Sequence, residues 1–272
     1  MEDIIKGMIN EIFGSGFLSG ITDVLTKTPD SYTSAWSFVS NAFNSIILPI
    51  GYGFMIIYFL CALIDKSTYE GFNLEQFLRL LIKLFVAKML LDNGLNILIL
   101  IMNLGSSLVT SFTTDNSIAA NSSVTVNKII NMAKEETNGF GFFESIGFML
   151  KLFIPWISSL IIGIVIKFVC YSRLIEIMVR TVVAPVAMSD IIYGGVQSNG
   201  FRYLKSYLAV ALQGIIIFVI AYVFSMISAD VLTGADDLNF FDFILVYLTM
   251  GFSAVALIVR SLGFAKELVG TN

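Results

Sequence analysis

The sequence predicts an all-α, polytopic membrane protein: about five transmembrane helices, an N-terminal amphipathic helix, and a re-entrant or interfacial helix at 174–192. Three observations carry this reading. Of the 272 residues, 57% are in the AVILMFWYC set and 13% are charged, about half the ~25% charged share of soluble domains, and mean hydropathy is +0.86. The apolar residues gather into runs nearly free of charge and long enough to cross a hydrocarbon core of about 30 Å. Between the runs, Ser, Thr, Asn, Gly and Asp cluster as connections.

The first residues, Met1-Glu2-Asp3-Ile4-Ile5-Lys6, are acidic and lack the basic start and small-residue cleavage site of a signal peptide, so insertion is expected to use the internal spans. Residues 4–13 set Ile4, Ile5, Met8, Ile9, Ile12 and Phe13 on one side of a helix, with Lys6, Asn10 and Glu11 opposite. Too short to cross, this helix is expected to lie on a surface or on a partner. After Gly14-Ser15-Gly16, the run Pro29-Asp30-Ser31 restarts a helix with Asp30 or Ser31 as N-cap, and its periodicity leads toward the first span.

That span is 42–64, uncharged and about 34 Å long at 1.5 Å per residue, and it is expected to stop at Asp65-Lys66. Asn73 with Gln76 resembles a capping box opening a helix that carries Arg79, Lys83 and Lys88. Asp92-Asn93-Gly94 interrupts it before a second apolar run, 95–108. Residues 80–112 are too long for one simple crossing; they form either a partly interfacial basic helix followed by a crossing, or one steeply tilted helix weakened at Gly94. Residues 113–143 are rich in Ser, Thr and Asn and predict an extramembrane loop with a short helix near 126–134.

The third span is 146–170, with Pro155, Trp156 and lysines near its ends that can snorkel. Residues 174–192 are apolar but carry Glu176, Arg180 and Pro185, which argues for an interfacial or re-entrant helix. The last spans are 204–228 and 240–262, joined by an acidic loop with Asp230, Asp236 and Asp237. With 174–192 kept on the cytoplasmic side, nine Lys and Arg between Lys66 and Lys266 lie inside, against Lys6, Lys27, Lys128 and Lys134 outside. A sixth crossing would move Arg202, Lys205, Arg260 and Lys266 outside and break that bias. The expected organisation is therefore an extracytoplasmic segment 1–41, a transmembrane domain 42–262 with an outer loop 113–143, and a short cytoplasmic tail 263–272.

Composition also excludes chemistry. No histidine is present, so zinc sites, His-based triads and neutral-pH proton relays have no imidazole. There is no Gly-rich phosphate loop with Lys-Ser/Thr, no paired intramembrane aspartates, and no Ser or Cys with an evident base. The chain is expected to be no enzyme, with no catalytic residue, cofactor or metal. Cys61 and Cys170 read as buried thiols, and net charge −4 advertises no bulk nucleic-acid surface.

Several constellations carry two readings. Arg173, Glu176 and Arg180, at i, i+3 and i+7, put a carboxylate between two guanidiniums, either as a self-neutralised interfacial helix or as a cationic face lining a subunit junction or a pathway for an anionic polymer. Pro185 removes a backbone donor inside an apolar stretch and makes either a kink or a re-entrant turn. Arg79 and Lys83 share a face and reach headgroups by snorkelling. Asn96 and Asn103, seven apart, are interhelical hydrogen-bonding residues, and Gln213 and Gly214 are further candidates for helix contacts. Ile50-Gly51-Tyr52-Gly53 lies inside a continuous apolar run after Leu48-Pro49 and reads as a flexible kink, not an ion filter.

The whole pattern, with Arg180-Thr181-Val182-Val183-Ala184-Pro185-Val186-Ala187 leading into Gly200-Phe201-Arg202-Tyr203-Leu204-Lys205-Ser206-Tyr207 and on to Gly214, resembles the TrbL-like polytopic membrane subunit of conjugative type IV secretion systems, in the form carried by Gram-positive mobile elements. The resemblance covers most of the chain in architecture and 173–214 in motif. It implies an oligomeric channel or scaffold component in the cytoplasmic membrane. Its implied partners are further copies of itself, the system's ATPases and other membrane subunits, and the DNA or DNA-protein complex in transit, with the lipid bilayer around it. It also implies that Arg173, Arg180, Arg202 and Lys205 are cations at the cytoplasmic mouth, facing phosphates. A small-solute transporter or ion channel is the competing reading, although neither repeated halves nor matching broken helices are visible.

Overall fold

The computed structural model describes residues 2–13, 16–69, 73–113, 129–137, 141–233 and 239–271, and among them there is no strand. The chain is an all-α polytopic membrane protein with five helices long and apolar enough to cross a bilayer: Thr33–Thr68, Gly94–Phe112, Phe143–Met188, Asn199–Val231 and Phe240–Val269. In order, the helices are α1 (Glu2–Phe13), α2 (Gly16–Thr26), α3 (Thr33–Asn41), α4 (Leu48–Tyr69), α5 (Leu74–Asp92), α6 (Gly94–Thr113), α7 (129–137), α8 (Phe142–Met188), α9 (Ile191–Gly194), α10 (Asn199–Thr233) and α11 (Phe240–Val269).

The first crossing starts earlier and ends later than its apolar run. Pro29–Ser31 forms a turn of 3₁₀ helix, and Tyr32, not Asp30 or Ser31, occupies the N-cap position of α3 without a side-chain cap bond. α3 passes through a π-helical segment, Ala42–Ile47, straight into α4. The helix does not stop at Asp65-Lys66, because a helix leaving the bilayer keeps its internal bonds; Thr68 Oγ1 donates to the Ile64 carbonyl at 2.8 Å. The capping box expected at Asn73 is not made: its side chain makes no cap bond, and the Gln76 N–H bonds the Asn73 carbonyl at 3.0 Å.

Of the two readings of residues 80–112, the structure has the broken one. α5 ends at Asp92, Asn93 turns the chain with its amide donating to the Met89 carbonyl at 2.9 Å, and α6 alone is a candidate crossing. α5 buries only the seam Leu80, Ala87 and Leu91, at i, i+7 and i+11, and packs on α4. Helix α7 covers much of the short helix expected near 126–134; the rest of that segment lies outside the described residues.

The largest correction concerns 174–192. α8 is a single helix of 47 residues, about 70 Å at 1.5 Å per residue, so it neither ends at Cys170 nor re-enters at Pro185. Pro185 sits in its last turn, and Ser189 N–H still bonds the Pro185 carbonyl at 3.1 Å. The chain turns beyond it, through α9 and a 3₁₀ turn at Gly195–Gln197 entered by Gly195 at φ +57, a left-handed conformation that favours glycine. α11 likewise continues through residues expected in the tail and stops at Gly270, φ +69, where Thr271 N–H bonds the Lys266 carbonyl at 3.0 Å.

The chain divides into two compact units, each assembled from separated segments. Unit 1 is Met1–Thr26, Ser107–Tyr171 and Gly214–Ser261. Its core takes Ile9 and Ile12 of α1 together with Ile21 and Leu25 of α2, so that part of the apolar side of α1 packs in its own chain, while Ile4 stays 55% exposed. The Trp156 indole N–H donates to Glu11, and Ser159 donates to the Ile12 carbonyl at 3.5 Å. Unit 2 is Lys27–Ser106, Ser172–Gln213 and Leu262–Asn272, with a core built on Phe43, Leu91, Leu98, Met102, Met188 and Tyr207.

Candidate functional site

Within unit 2 the C-terminal part of α8 and the N-terminal part of α10 run antiparallel, joined by a polar ladder with near-heptad spacing. Gly200 lies against the backbone of Ala187 and Met188, where an added Cβ would stand 2.7 Å from the Ala187 carbonyl oxygen. One step along, the Tyr203 hydroxyl donates to the Arg180 carbonyl and the Arg180 Nη1 donates to Ser206 Oγ at 2.9 Å. Beside it, Thr181 and Tyr207, both buried, share a hydroxyl bond of 3.0 Å. At the far end Arg173 donates from Nε to the Val210 carbonyl at 3.1 Å and from Nη2 to the Ala211 carbonyl at 3.0 Å. Glycine and small residues permit the approach, and the bonds make polar groups tolerable in an apolar interior.

The expected triad is therefore divided. Glu176 pairs with Arg180, 2.7 Å from Nη2 and half-buried, whereas Arg173 is 6% exposed and held on backbone carbonyls. A guanidinium placed so is a helix-joining group and does not face solvent. Arg202 and Lys205, by contrast, line a cavity of about 740 Å³ in unit 2, together with Gln197, Asn199, Ser206 and Thr271. The Lys205 ammonium stands 5.5 Å from the centre of the Phe201 ring. Asp190 accepts the Asn199 N–H at 3.0 Å, and Ser198 accepts that of Phe201 at 3.2 Å, so α10 begins in a well-satisfied turn.

The other expected residues fall as follows. Asn96 is exposed and Asn103 half-buried; α6 makes its close contact with α10 through Gly105, whose added Cβ would stand 2.4 Å from the Ala211 oxygen. Gln213 and Gly214 are buried. Pro185 is buried against Gly51, where a Cβ would meet its Cβ and carbonyl at 3.0 Å, so Gly51 is a contact inside a continuous α4 and not a flexible kink. Cys170 is buried, but Cys61 is exposed, correcting the reading of both as buried thiols. Tyr52 donates to Asp92, and Tyr193 to Asp65 at 2.6 Å. The bond to Asp65, and then its charge, holds the Tyr193 hydroxyl above its ordinary range.

Sequence reasoning missed Thr181, Tyr203, Tyr207, Gly51 and Gly105 as contact residues. The signal was present for one set: Gly200, Tyr203, Tyr207 and Ala211 recur at i, i+3, i+7 and i+11, one face of α10. Among the described residues no group of three Cys, Asp or Glu side chains is placed to hold a metal ion.

Helices this long and apolar, with polar side chains turned onto neighbouring helices and lipid-sized apolar faces left outside, define a multi-pass membrane protein. The family model for the TrbL/VirB6 plasmid conjugal transfer-like proteins matches residues 17–185, about 62% of the chain, and the protein belongs to that family. The match runs from α2 to Pro185, so residues 186–214, the larger part of the 173–214 stretch that carried the motif resemblance, lie outside it. No curated protein and no solved structure matches the chain. Family membership makes it a membrane component of a conjugal transfer system.

Proposed function

We propose that the protein is a channel or scaffold subunit of a conjugative type IV secretion system, oligomerising in the cytoplasmic membrane with its N-terminus outside and its C-terminus inside. The observation that carries this reading is the family match over residues 17–185 on a chain with five candidate crossings. Apolar residues left exposed along the crossing helices, Ile154 and Phe168 of α8 at 70% among them, supply surface for lipid and for further copies. A conduit wide enough for DNA needs several five-helix subunits around it. Other membrane subunits and ATPases of the system are its partners, and DNA or a DNA-protein complex is the cargo. Arg180, Arg202 and Lys205 then stand at the cytoplasmic side, by the positive-inside bias.

The test is genetic. In-frame deletion from the native element is expected to abolish DNA transfer in mating, with restoration in trans. Transfer at the parental frequency after deletion would overturn the assignment.

A further inference from the structure

We propose that the cavity formed at the start of α10 and the end of α11 binds the headgroup of an anionic phospholipid, with Arg202 and Lys205 holding its phosphodiester. Its volume of about 740 Å³ lies within the range of about 300–1,000 Å³ typical of small-ligand sites. Among the described residues its wall contains two cations and no carboxylate, and the side chains of Gln197, Asn199, Ser206 and Thr271 add neutral hydrogen-bonding groups around them. Two acidic groups of the same unit are otherwise engaged: Glu176 pairs with Arg180, and Asp190 accepts the Asn199 N–H. Glu267 lies in the last turn of α11, outside the wall. Neither Arg202 nor Lys205 makes an ion pair with a described carboxylate, so the wall keeps its positive charge.

Position selects a lipid over a nucleic acid. Arg202 and Lys205 immediately precede the uncharged run of α10 from Ser206 to Ser228, so the cavity stands at the boundary between hydrocarbon and water, where headgroup phosphates lie. Phe201 under the Lys205 ammonium places an aromatic ring at the same level, as in the aromatic belts of membrane interfaces. A polymer backbone would ask for a track of cations, but Arg173 is buried on carbonyls and Arg180 is paired, leaving two cations around one open-sided hollow. Arg supplies two parallel donors to phosphate oxygens, and Lys a compact charge.

The inference concerns the same side of the protein as the proposed function but does not depend on DNA transfer. Full-length protein in a neutral detergent is titrated with short-chain phosphatidylglycerol, the matching phosphatidylcholine, inorganic phosphate and a 20-nucleotide single-stranded DNA, read by native mass spectrometry and by thermal melting. Phosphatidylglycerol is expected to bind and raise the melting temperature, with phosphatidylcholine at least tenfold weaker. Arg202→Gln with Lys205→Gln should weaken phosphatidylglycerol tenfold or more, and Arg202→Lys should recover part of the loss. If the double variant does not accumulate, each single variant is expected to weaken binding at least threefold. Equal binding by wild type and variants, or by both lipids, would overturn the proposal. Inorganic phosphate binding as tightly as the lipid would reassign the cavity to free phosphate, and DNA displacing the lipid would reassign it to nucleic acid. Mating frequency is read separately, so failure of either idea leaves the other standing.

Discussion

Gly105 faces the Ala211 carbonyl so closely that no larger residue fits: the 2.4 Å separation of an added Cβ lies below any real contact and the obstacle is backbone. Gly105→Ala must push α6 away from α10, and overpacking of this kind costs about 1–3 kcal/mol. The expected result is a melting temperature several degrees lower in detergent. Gly163→Ala is the control, since nothing lies within 4 Å of its added Cβ and a helical alanine is favoured over glycine by about 1 kcal/mol. Equal melting of the two variants would refute the close contact. Arg173 belongs to this scale as well. Two carbonyls of α10 receive its guanidinium, so a cation that the sequence set beside Glu176 joins two helices instead.

Among the elements, α8 decides most. One continuous helix from Phe142 to Met188, with Pro155 inside it, carries both the expected third span and the stretch expected to re-enter. Its outward residues keep one phase throughout, with Ile164, Phe168, Tyr171, Ile175, Val179 and Val183 exposed at steps of three and four. Single cysteines placed at each position from 164 to 186, with Cys61 and Cys170 replaced, should therefore label with an unbroken period near 3.6 residues. A phase slip between 171 and 176 would restore the separate helix. Pro185 does not turn the chain back: α8 continues three residues beyond it to Met188, and the N–H it lacks removes one bond, to the Thr181 carbonyl four residues upstream. A charged apolar stretch looked interfacial for an equally local reason: spacing reveals which charges share a face, but not that a second helix brings carbonyls and hydroxyls to them.

For the molecule as a whole, the testable quantity is sidedness. With the N-terminus outside, Ser122→Cys is expected to react with an impermeant thiol reagent in intact cells. Gln197→Cys and Glu267→Cys are expected to react only after permeabilisation. Labelling of Gln197→Cys from outside would reverse the positive-inside assignment and with it the position of Arg202 and Lys205. The sequence by itself determined the class: mean hydropathy of +0.86, runs of uncharged residues and absent histidine leave a multi-pass helical protein, because the bilayer imposes run length directly on composition. It also placed the last two crossings and marked Asp92-Asn93-Gly94 as a weak point, while leaving open whether the helix ended there. Only the tertiary structure decided that α1 buries Ile9 and Ile12 within its own unit, that α8 is one helix, and that Tyr203, Tyr207 and Arg173 form a ladder along α10. Those outcomes depend on which segments, tens of residues apart, supply the opposite wall, and hydropathy along one chain contains no record of that wall.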